Sequence, residues 1–443
     1  MVEKQQSQND TDLEYSRNTV PQSERRSCFS LAIVWCGVVF VITSMMVGSS
    51  LAAGMDFKHI IIATILGNIF LSIVATLNCI IASKTGLSFA LLTRYSFGST
   101  GSKVATFLSP IINTGWYTIQ SAVFGHFIAQ IFGFGTAGEF ICMILSALAM
   151  GIFAIFGMRI ITILGYVSIP AIVFLCLATG IRSAGSIGGM SAVFAYKPTT
   201  EIAMGVGVTA IIGNWVTTSS TALADVMRFA KSLKSAIIAS IVGLMCGNVL
   251  MIICGSIASI ATQNGDLTSV LLGFGLLIPS VILMTTNIFT TNATNLYCMS
   301  LCLTNTFKLS RRKMLVIVLI IASVLTLFRP YRLNMVFSFL KILGVAMPPL
   351  AGILFSDFYL VHKSRYITFE KASFQKWNPI SWISWAATVA LVYAIPYGLK
   401  ALNGIILSAV IYTLLMLVTK TQIVRPAEAV SSNDLASDQK GEK

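Results

Sequence analysis

Apolar runs of about 20 residues, each long enough to cross a bilayer as a helix, recur along this chain from Ser30 to about Val418. The chain is 56% hydrophobic and only 10% charged, a balance that water-soluble domains do not have. Backbone hydrogen bonds inside a membrane must be satisfied within each crossing segment, which favours helices. The sequence therefore predicts an all-α polytopic membrane protein.

The apolar runs divide the chain into segments. Twelve transmembrane helices are predicted, at residues 29–54, 58–81, 103–132, 136–157, 160–181, 200–224, 235–262, 268–297, 313–328, 334–357, 378–399 and 401–420. The predicted organisation is a cytoplasmic N-terminal tail at 1–28, a first five-helix repeat at 29–181, a second at 182–357, a cytoplasmic loop at 358–377, helices 11 and 12 at 378–420, and a cytoplasmic C-terminal tail at 421–443. The N-terminal tail is polar with mixed charge, so we expect it to be disordered.

The placement of the basic residues indicates membrane topology rather than nucleic-acid binding. The formal net charge is +14, but most basic residues flank the predicted helices. More of them fall in the loops of one side, such as 84–103 and 308–313, than in the loops of the other. Because positively charged loops stay in the cytoplasm, both termini are predicted to be cytoplasmic, in an inner or plasma membrane. The nine cysteines are scattered, and no metal cluster, nucleophile–base pair or phosphate loop indicates an enzyme.

A stretch of poor helix formers, 213–221, lies inside the sixth predicted helix. Gly213 and a run of β-branched and hydroxyl residues weaken the backbone ladder, and a broken helix survives in hydrocarbon only where protein covers it or it lines a cavity. Helix one could also unwind, near Gly37. Helices one and six would then be equivalent members of two inverted five-helix repeats, as in secondary transporters. A Ser/Thr-rich contact between helices is the alternative.

Polar side chains also interrupt helix three. One face carries residues spaced three or four apart, namely Asn113, Trp116, Tyr117 and Gln120. Trp116 and Trp215 each lie roughly 20 Å along their helices, which puts both near the middle of the bilayer. Two indoles at one depth could sandwich a planar ring. The side-chain amides that could read the edge of that ring are those of Asn113, Gln120, Asn214 and Asn292.

Helix eight offers a second kind of site. Asn287, Thr290 and Thr291 share a face, and neutral oxygens of this kind suit a small hard cation. Hydrogen bonding between helices is the alternative here and on helix three. The acidic residues within 29–420 all lie near predicted helix ends, so no carboxylate at the midplane could carry a proton. Coupling to Na⁺ is therefore favoured, with H⁺ left open, and Lys341 either snorkels outward or acts at a gate.

Several motifs resemble the nucleobase:cation symporter family, in particular its cytosine permease branch (purine-cytosine permease-like). The most specific motifs are Lys84-Thr85-Gly86-Leu87, Arg94-Tyr95-Ser96-Phe97-Gly98, Gly115-Trp116, Ala224-Asp225-Val226-Met227-Arg228-Phe229, Asn287-Ile288-Phe289-Thr290-Thr291-Asn292 and Pro348-Pro349. The resemblance runs from Val20 to about Tyr366.

This resemblance implies a LeuT-like fold of twelve helices with two inverted five-helix repeats, broken helices one and six, and alternating access. It implies a Na⁺ site formed by the backbone carbonyls of Gly37 and Phe40 with Asn287, Thr290 and Thr291. It also implies that a planar substrate stacks between Trp116 and Trp215. The edge of the substrate would be held by Asn214, Thr217 and Asn292.

Three positions depart from the pattern of the cytosine permeases. Asn113 stands where they have a glutamine, Val41 where they have a second aromatic residue, and Trp215 where they have phenylalanine. The tryptophan is more like the branch that transports hydantoins. The substrate of this pocket is therefore left open among cytosine, a purine, a hydantoin and a related pyrimidine.

The sequence thus predicts a monomeric secondary symporter for a nucleobase-like substrate, with no nucleic-acid partner. A transporter of amino acids or amines with the same fold is one alternative, but stacking indoles would serve no purpose in it. A receptor or channel is another. A receptor should carry a soluble signalling domain, and a pore should show polar residues through the full membrane depth, whereas here they cluster near the middle.

Overall fold

A computed structural model describes residue 15 and residues 18–155, 158–264, 277–307 and 311–427. Helices make up most of this part of the chain. In its first half they are α1 (Cys28–Val39), α2 (Ile42–Ala52), α3 (Phe57–Thr85), α4 (Phe89–Phe97), α5 (Gly101–Ile131), α6 (Thr136–Ile155), α7 (Met158–Ser186) and α8 (Met190–Ala195). In its second half they are α9 (Met204–Ser220), α10 (Ala222–Met227), α11 (Leu233–Val242), α12 (Val249–Thr262), α13 (Leu277–Phe307), α14 (Arg311–Thr326), α15 (Leu333–Ala346), α16 (Pro348–Ser356), α17 (Pro379–Ala394) and α18 (Lys400–Thr419).

Membrane-spanning character is evident in the helices themselves. Four helical segments of the described chain are long and apolar enough to cross a bilayer: Phe57–Thr85, Leu233–Thr262, Asn334–Val361 and Lys400–Thr419. The pair α1 and α2 passes the same test as one segment bent by 51°. Two of these four segments contain a π-helical stretch, at Gly243–Asn248 and Asp357–Val361. These segments support a multi-pass membrane protein.

The first predicted transmembrane helix is broken, as expected, but the break lies at Phe40 and Val41 rather than at Gly37. Phe40 has a ψ of 82° and Val41 is extended, which ends α1 and allows α2 to begin at Ile42. Val39, Val41 and Ile42 around the break are β-branched, and such side chains lose rotamer freedom in a helix. The position of the break therefore follows the valine and isoleucine residues rather than the glycine.

The break in helix six lies at Thr221, the last residue of the predicted stretch 213–221. The backbone stays helical through Gly213 and breaks at Thr221, where φ is −124° and ψ is −82°. The hydroxyl of Thr221 donates to the Thr217 carbonyl at 2.7 Å, next to the point where the ladder ends. Gly213 serves packing instead, since a Cβ there would lie 2.8 Å from the Leu340 carbonyl oxygen. The glycine thus lets α15 approach α9 closely.

The described part of the N-terminal tail is ordered, contrary to our expectation of disorder. The Val20 amide donates to the Gly86 carbonyl at 3.0 Å, and Arg26 forms a parallel bridge with Ala230. The Arg25 guanidinium donates to the Ser83 carbonyl at 2.8 Å. Gly86 has a φ of +69°, and an added Cβ would lie 2.9 Å from the Thr19 side chain. This tail segment therefore packs against the end of α3 and the segment after α10.

A small sheet is the exception to the all-α prediction. Strand β1 (Ala372–Phe374) pairs antiparallel with β2 (Val424–Pro426), and Ala372 lies opposite Pro426. The loop predicted at 358–377 and the beginning of the C-terminal tail each supply one strand. The sheet thereby joins the two segments.

Candidate substrate and ion site

The break between α1 and α2 is braced by the side chain of Asn287 on α13. Its Nδ2 donates to the Phe40 carbonyl at 2.5 Å, and its Oδ1 accepts from the Ile42 amide at 3.1 Å. Both backbone groups flank the break, where a continuous helix would have supplied partners. A buried backbone group without a partner is costly, so Asn287 stabilises the interrupted helix. Two of the predicted ion ligands, Phe40 and Asn287, are therefore in direct contact.

The other predicted ion ligands lie beside these two. The Thr291 hydroxyl donates to the Asn287 carbonyl at 2.9 Å, and Thr290 is buried on the same helix. Gly37 is half-buried, one turn before Phe40. The described residues contain no group of three His, Cys, Asp or Glu side chains that could hold a metal. The oxygens of the Phe40 carbonyl and of the Asn287, Thr290 and Thr291 side chains are neutral, and hard cations favour oxygen ligands.

Trp116 on α5 is buried and lies against α15. Its ring meets that of Phe339 edge to face, with centroids 5.3 Å apart and planes at 81°. Gly115 makes room for the phenyl ring, since a Cβ there would lie 2.6 Å from it. The Asn113 amide, one turn earlier, donates to the Ser109 hydroxyl at 3.3 Å. The sequence did not predict this contact between Trp116 and Phe339.

In the side-chain amide of Asn292 on α13, the nitrogen is hydrogen-bonded to protein groups and the oxygen is not. Nδ2 donates to the Tyr117 carbonyl at 3.2 Å and to the Ser121 hydroxyl at 3.0 Å. A carbonyl can only accept, so the nitrogen must face α5 and the oxygen must face elsewhere. The Asn292 Oδ1 is buried and has no hydrogen-bond partner within the described residues. The hydrogen bonding between helices that the sequence allowed is therefore present, and an acceptor is left over.

Trp215 and Asn214 on α9 contact a different set of residues. The Trp215 Nε1 donates to the Ser44 hydroxyl at 3.2 Å and to Asn248 Oδ1 at 3.0 Å. Its ring meets that of Trp35 at a centroid distance of 6.3 Å. The Asn214 Nδ2 also donates to Ser44, at 3.0 Å. The two indoles of the predicted sandwich thus pack against different aromatic rings, and the sandwich itself stays a prediction.

Three predicted substrate residues each bury a polar atom that has no partner in the described structure. The atoms are Gln120 Oε1, Thr217 Oγ1 and Asn292 Oδ1. Buried polar atoms are normally satisfied, and leaving one unpaired costs about 1–3 kcal/mol. A ligand with N–H groups could supply the missing donors. Val41, the remaining predicted residue, is buried at the break in the first helix.

Sequence reasoning missed Ser44, Asn248 and Phe339. Asn248 carried a detectable signal, because an amide inside a long apolar run has to find a polar partner. Ser44 and Phe339 carried none that separates them from other residues of their helices. The predicted role of Lys341 concerns a side chain that lies outside the described residues.

Comparison with known proteins identifies the family. A family described as "Permease for cytosine/purines, uracil, thiamine, allantoin" matches residues 19–419. Cytosine permease of Escherichia coli (strain K12) is 29% identical over 404 residues, covering 91% of this chain and 94% of that protein. The inward-facing conformation of Mhp1 superposes with a TM-score of 0.81 at 16% identity, covering 91% of this chain and 93% of that one.

A second structure of Mhp1 has a closed conformation with bromovinylhydantoin bound, and it is described as a nucleobase-cation-symport-1 family transporter. It superposes with a TM-score of 0.77 at 16% identity, covering 94% of this chain and 98% of that one. At this identity the likeness shows the fold, that of an all-helical polytopic membrane transporter. The matched proteins are permeases and transporters rather than enzymes. Because the family match covers most of its length, the chain belongs to the nucleobase:cation symporter family, in the branch of the cytosine permeases.

Proposed function

We propose that this chain is a secondary active symporter that imports a nucleobase-like planar heterocycle together with Na⁺. The observation that carries the proposal is the amide of Asn292, whose nitrogen is bonded to α5 while its oxygen is buried and unpaired. An acceptor in this state favours a ligand that brings its own N–H donor. Gln120, one residue before the Ser121 hydroxyl that Asn292 contacts, offers a second unpaired acceptor.

The proposed substrate carries N–H groups on the edge of a flat ring. Cytosine, purines, hydantoins and related pyrimidines all have this chemistry. In the proposed complex Trp116 and Trp215 contact the faces of the ring, and Asn113, Gln120, Asn214, Thr217 and Asn292 line its edge. The cytosine permease relative supports cytosine, whereas Mhp1 with bromovinylhydantoin supports a hydantoin. The shorter amide at Asn113 and the larger ring at Trp215 favour a substrate other than cytosine.

The proposed coupling ion binds between the break in the first helix and α13. Its ligands would be the carbonyls of Gly37 and Phe40 with Asn287, Thr290 and Thr291, and the contact between Phe40 and Asn287 supports this set. An ion that joins these two elements would favour one arrangement of them. By linkage, it would raise the affinity for a substrate that prefers the same arrangement.

The proposed architecture follows the family. It has twelve transmembrane helices, with inverted repeats at 29–181 and 182–357 that exchange access between the two sides of the plasma membrane. The breaks at Phe40 and Thr221 support the equivalence of helices one and six. Both termini would be cytoplasmic and the transporter would act as a monomer.

The test is a thermal-shift screen of the purified protein against cytosine, uracil, adenine, hypoxanthine, hydantoin and phenylalanine, with Na⁺ or with choline as the cation. At least one heterocycle should raise the melting temperature, and more so in Na⁺. Trp116→Ala should remove saturable uptake while the protein still inserts. Stabilisation by phenylalanine alone would favour the amino-acid transporter. Uptake into vesicles driven by a proton gradient without Na⁺ would overturn the ion assignment.

A further inference from the structure

A chain of hydrogen bonds connects the indole of Trp215 to the backbone of α3. The Trp215 Nε1 donates to Asn248 Oδ1 at 3.0 Å, and Asn248 Nδ2 donates to Asn68 Oδ1 at 2.9 Å. The Asn68 Nδ2 then donates to the Thr64 carbonyl at 2.9 Å. Asn68 and Asn248 are fully buried. Three helical segments, α9, Gly243–Asn248 and α3, are joined by this one chain.

The direction of every bond in the chain is determined by its two ends. The indole nitrogen of Trp215 can only donate, and the Thr64 carbonyl can only accept. If either amide were flipped, two donors or two acceptors would face each other, so only one orientation of Asn68 and Asn248 satisfies all the bonds. The network therefore has a single low-energy arrangement.

Ser44 on α2 holds the same indole from another side. Its hydroxyl oxygen lies 3.2 Å from the Trp215 Nε1 and 3.0 Å from the Asn214 Nδ2. The indole N–H is thus shared between acceptors on two different helices. Since Ser44 is also fully buried, water does not compete for these bonds.

The π-helical stretch Gly243–Asn248 is shaped to fit these residues. A Cβ at Gly243 would overlap the indole of Trp35, which meets the Trp215 ring edge to face. A Cβ at Gly247 would lie 3.1 Å from the Phe40 ring. π-helical turns are rare and frequently mark functional sites. This one contacts both the proposed substrate-binding indole and a residue of the proposed ion site.

We propose that Ser44, Asn68 and Asn248 are positioning residues that hold the indole plane of Trp215 and thereby set the size of the planar substrate. The inference rests on the proposed function, because it assigns to Trp215 one wall of the substrate site. Stacking depends on the relative orientation of two rings. An indole held at its N–H presents one fixed surface, whereas an indole without these bonds can tilt and accept a ring of another size.

The experiment measures the affinity of the purified transporter for a one-ring and a two-ring heterocycle, hydantoin or cytosine against adenine. Asn248→Leu and Ser44→Ala should each change the ratio of the two dissociation constants by about five-fold, the equivalent of one hydrogen bond. Asn78→Leu is the matched control. The Asn78 amide is also fully buried on α3 and also bonds α9, at the Ser219 carbonyl, but it does not contact the indole. It should leave the ratio unchanged.

A Trp215→Phe background separates positioning from general stability. Phenylalanine has no N–H, so Asn248→Leu should no longer change the affinity ratio there. An equal change in both backgrounds, or an unchanged ratio in Asn248→Leu and Ser44→Ala, would overturn the proposal.

A measurement without substrate tests the same point. In protein labelled with 5-fluorotryptophan, the ¹⁹F resonance of Trp215 is the one lost in Trp215→Phe. Ser44→Ala and Asn248→Leu should shift and broaden it, while Asn78→Leu should not. An unchanged sharp resonance would contradict the positioning role even if no heterocycle binds, and failure of the whole substrate panel would count against the proposed function alone.

Discussion

At the scale of single residues, Thr217 is a polar side chain that is both buried and unpaired. Its side chain is buried, and its Oγ1 has no hydrogen-bond partner among the described residues. Without a ligand this hydroxyl lowers the stability of the fold, because burial removes its hydrogen bonds to water and no protein group replaces them. With a ligand the same hydroxyl becomes a donor or acceptor. Stability and affinity should therefore respond to its removal in opposite directions.

Thr217→Val removes the hydroxyl and keeps the shape of the side chain. We expect it to raise the free energy of unfolding by about 1 kcal/mol and to weaken substrate binding about five-fold. Thr388→Val is the matched control, because the Thr388 Oγ1 is also buried and unpaired. Thermal melting and binding isotherms of both variants provide the measurement. Weaker binding in Thr388→Val, or unchanged binding in Thr217→Val, would contradict the role of Thr217.

At the scale of elements, interrupted helices in this protein are supported by side chains from other helices. Asn287 supplies the donor and the acceptor that the break between α1 and α2 lacks. Two glycines allow α15 to pack closely against its neighbouring helices. Gly213 admits the Leu340 backbone, and Gly115 admits the Phe339 ring. Both glycines thus bring α15 against the elements that carry the two indoles.

Asn287→Ala leaves the Phe40 carbonyl and the Ile42 amide without their partner. We expect a loss of about 2–6 kcal/mol of stability, since each of the two unpaired buried groups costs about 1–3 kcal/mol. We also expect Na⁺ to raise the melting temperature of the variant less than that of the wild type. Asn295→Ala, on the same helix, serves as the control. An equal Na⁺ effect in Asn287→Ala and wild type would exclude Asn287 from the ion site.

Gly213→Ala would place a Cβ 2.8 Å from the Leu340 carbonyl oxygen, so α15 has to move away from α9. We expect a loss of about 1–3 kcal/mol, the usual cost of overpacking. Gly344→Ala tests the same contact from α15, where the nearest heavy atom is 3.9 Å away and space is available. Melting temperatures of the two variants decide the matter. Equal tolerance of both substitutions would mean that the close approach is not required.

At the scale of the whole molecule, buried carboxylates join loops to distant helices. Glu139 on α6 accepts from Arg329 at 2.7 Å and from Tyr331, both in the segment between α14 and α15. Asp357, which is fully buried, accepts from Tyr366 at 2.6 Å and from Tyr412 on α18 at 2.7 Å. The first carboxylate thus connects α6 to the segment before α15. Asp357 connects the end of the helical segment Asn334–Val361, which begins in α15, to α18.

The imidazole of His362 lies beside Asp357, with its Nδ1 3.1 Å from the backbone carbonyl oxygen and 3.5 Å from Oδ1. Burial lowers the pKa of His362, but the adjacent Asp357 carboxylate outweighs this and raises that pKa above its usual value near 6.5. A raised pKa in the folded state means that the imidazolium stabilises the fold. The contribution is complete below about pH 6.5 and is lost as the pH rises through the higher pKa of the folded state.

His362→Gln should therefore lower the free energy of unfolding at pH 6, by about 1.5 kcal/mol for a hydrogen bond to a charged group. The difference from wild type should shrink toward pH 8.5. His59→Gln is the control, since His59 is exposed and its pair with Asp56 lies at the surface. Melting curves across this pH range test the expectation. A difference that grows with pH would reverse the assigned sign.

Some features of this protein follow from local properties of the chain, and others follow only from contacts between distant residues. The membrane class, the interruption of the first helix and the polar residues of α5 and α13 were predictable, because hydropathy and backbone preference are encoded in neighbouring residues. The family also followed from motifs, which the comparison confirmed.

The partners of those polar residues were not predictable in the same way. Gly213 looked like a helix breaker and is a contact for α15, whereas the break lies at Thr221, the other end of the predicted stretch. Asn248 accepts a hydrogen bond from Trp215, which lies 33 residues away in the sequence. A side chain in hydrocarbon bonds to whichever group the packing of helices brings within about 3 Å. That packing is a property of the assembled bundle, and no single segment of the sequence contains it.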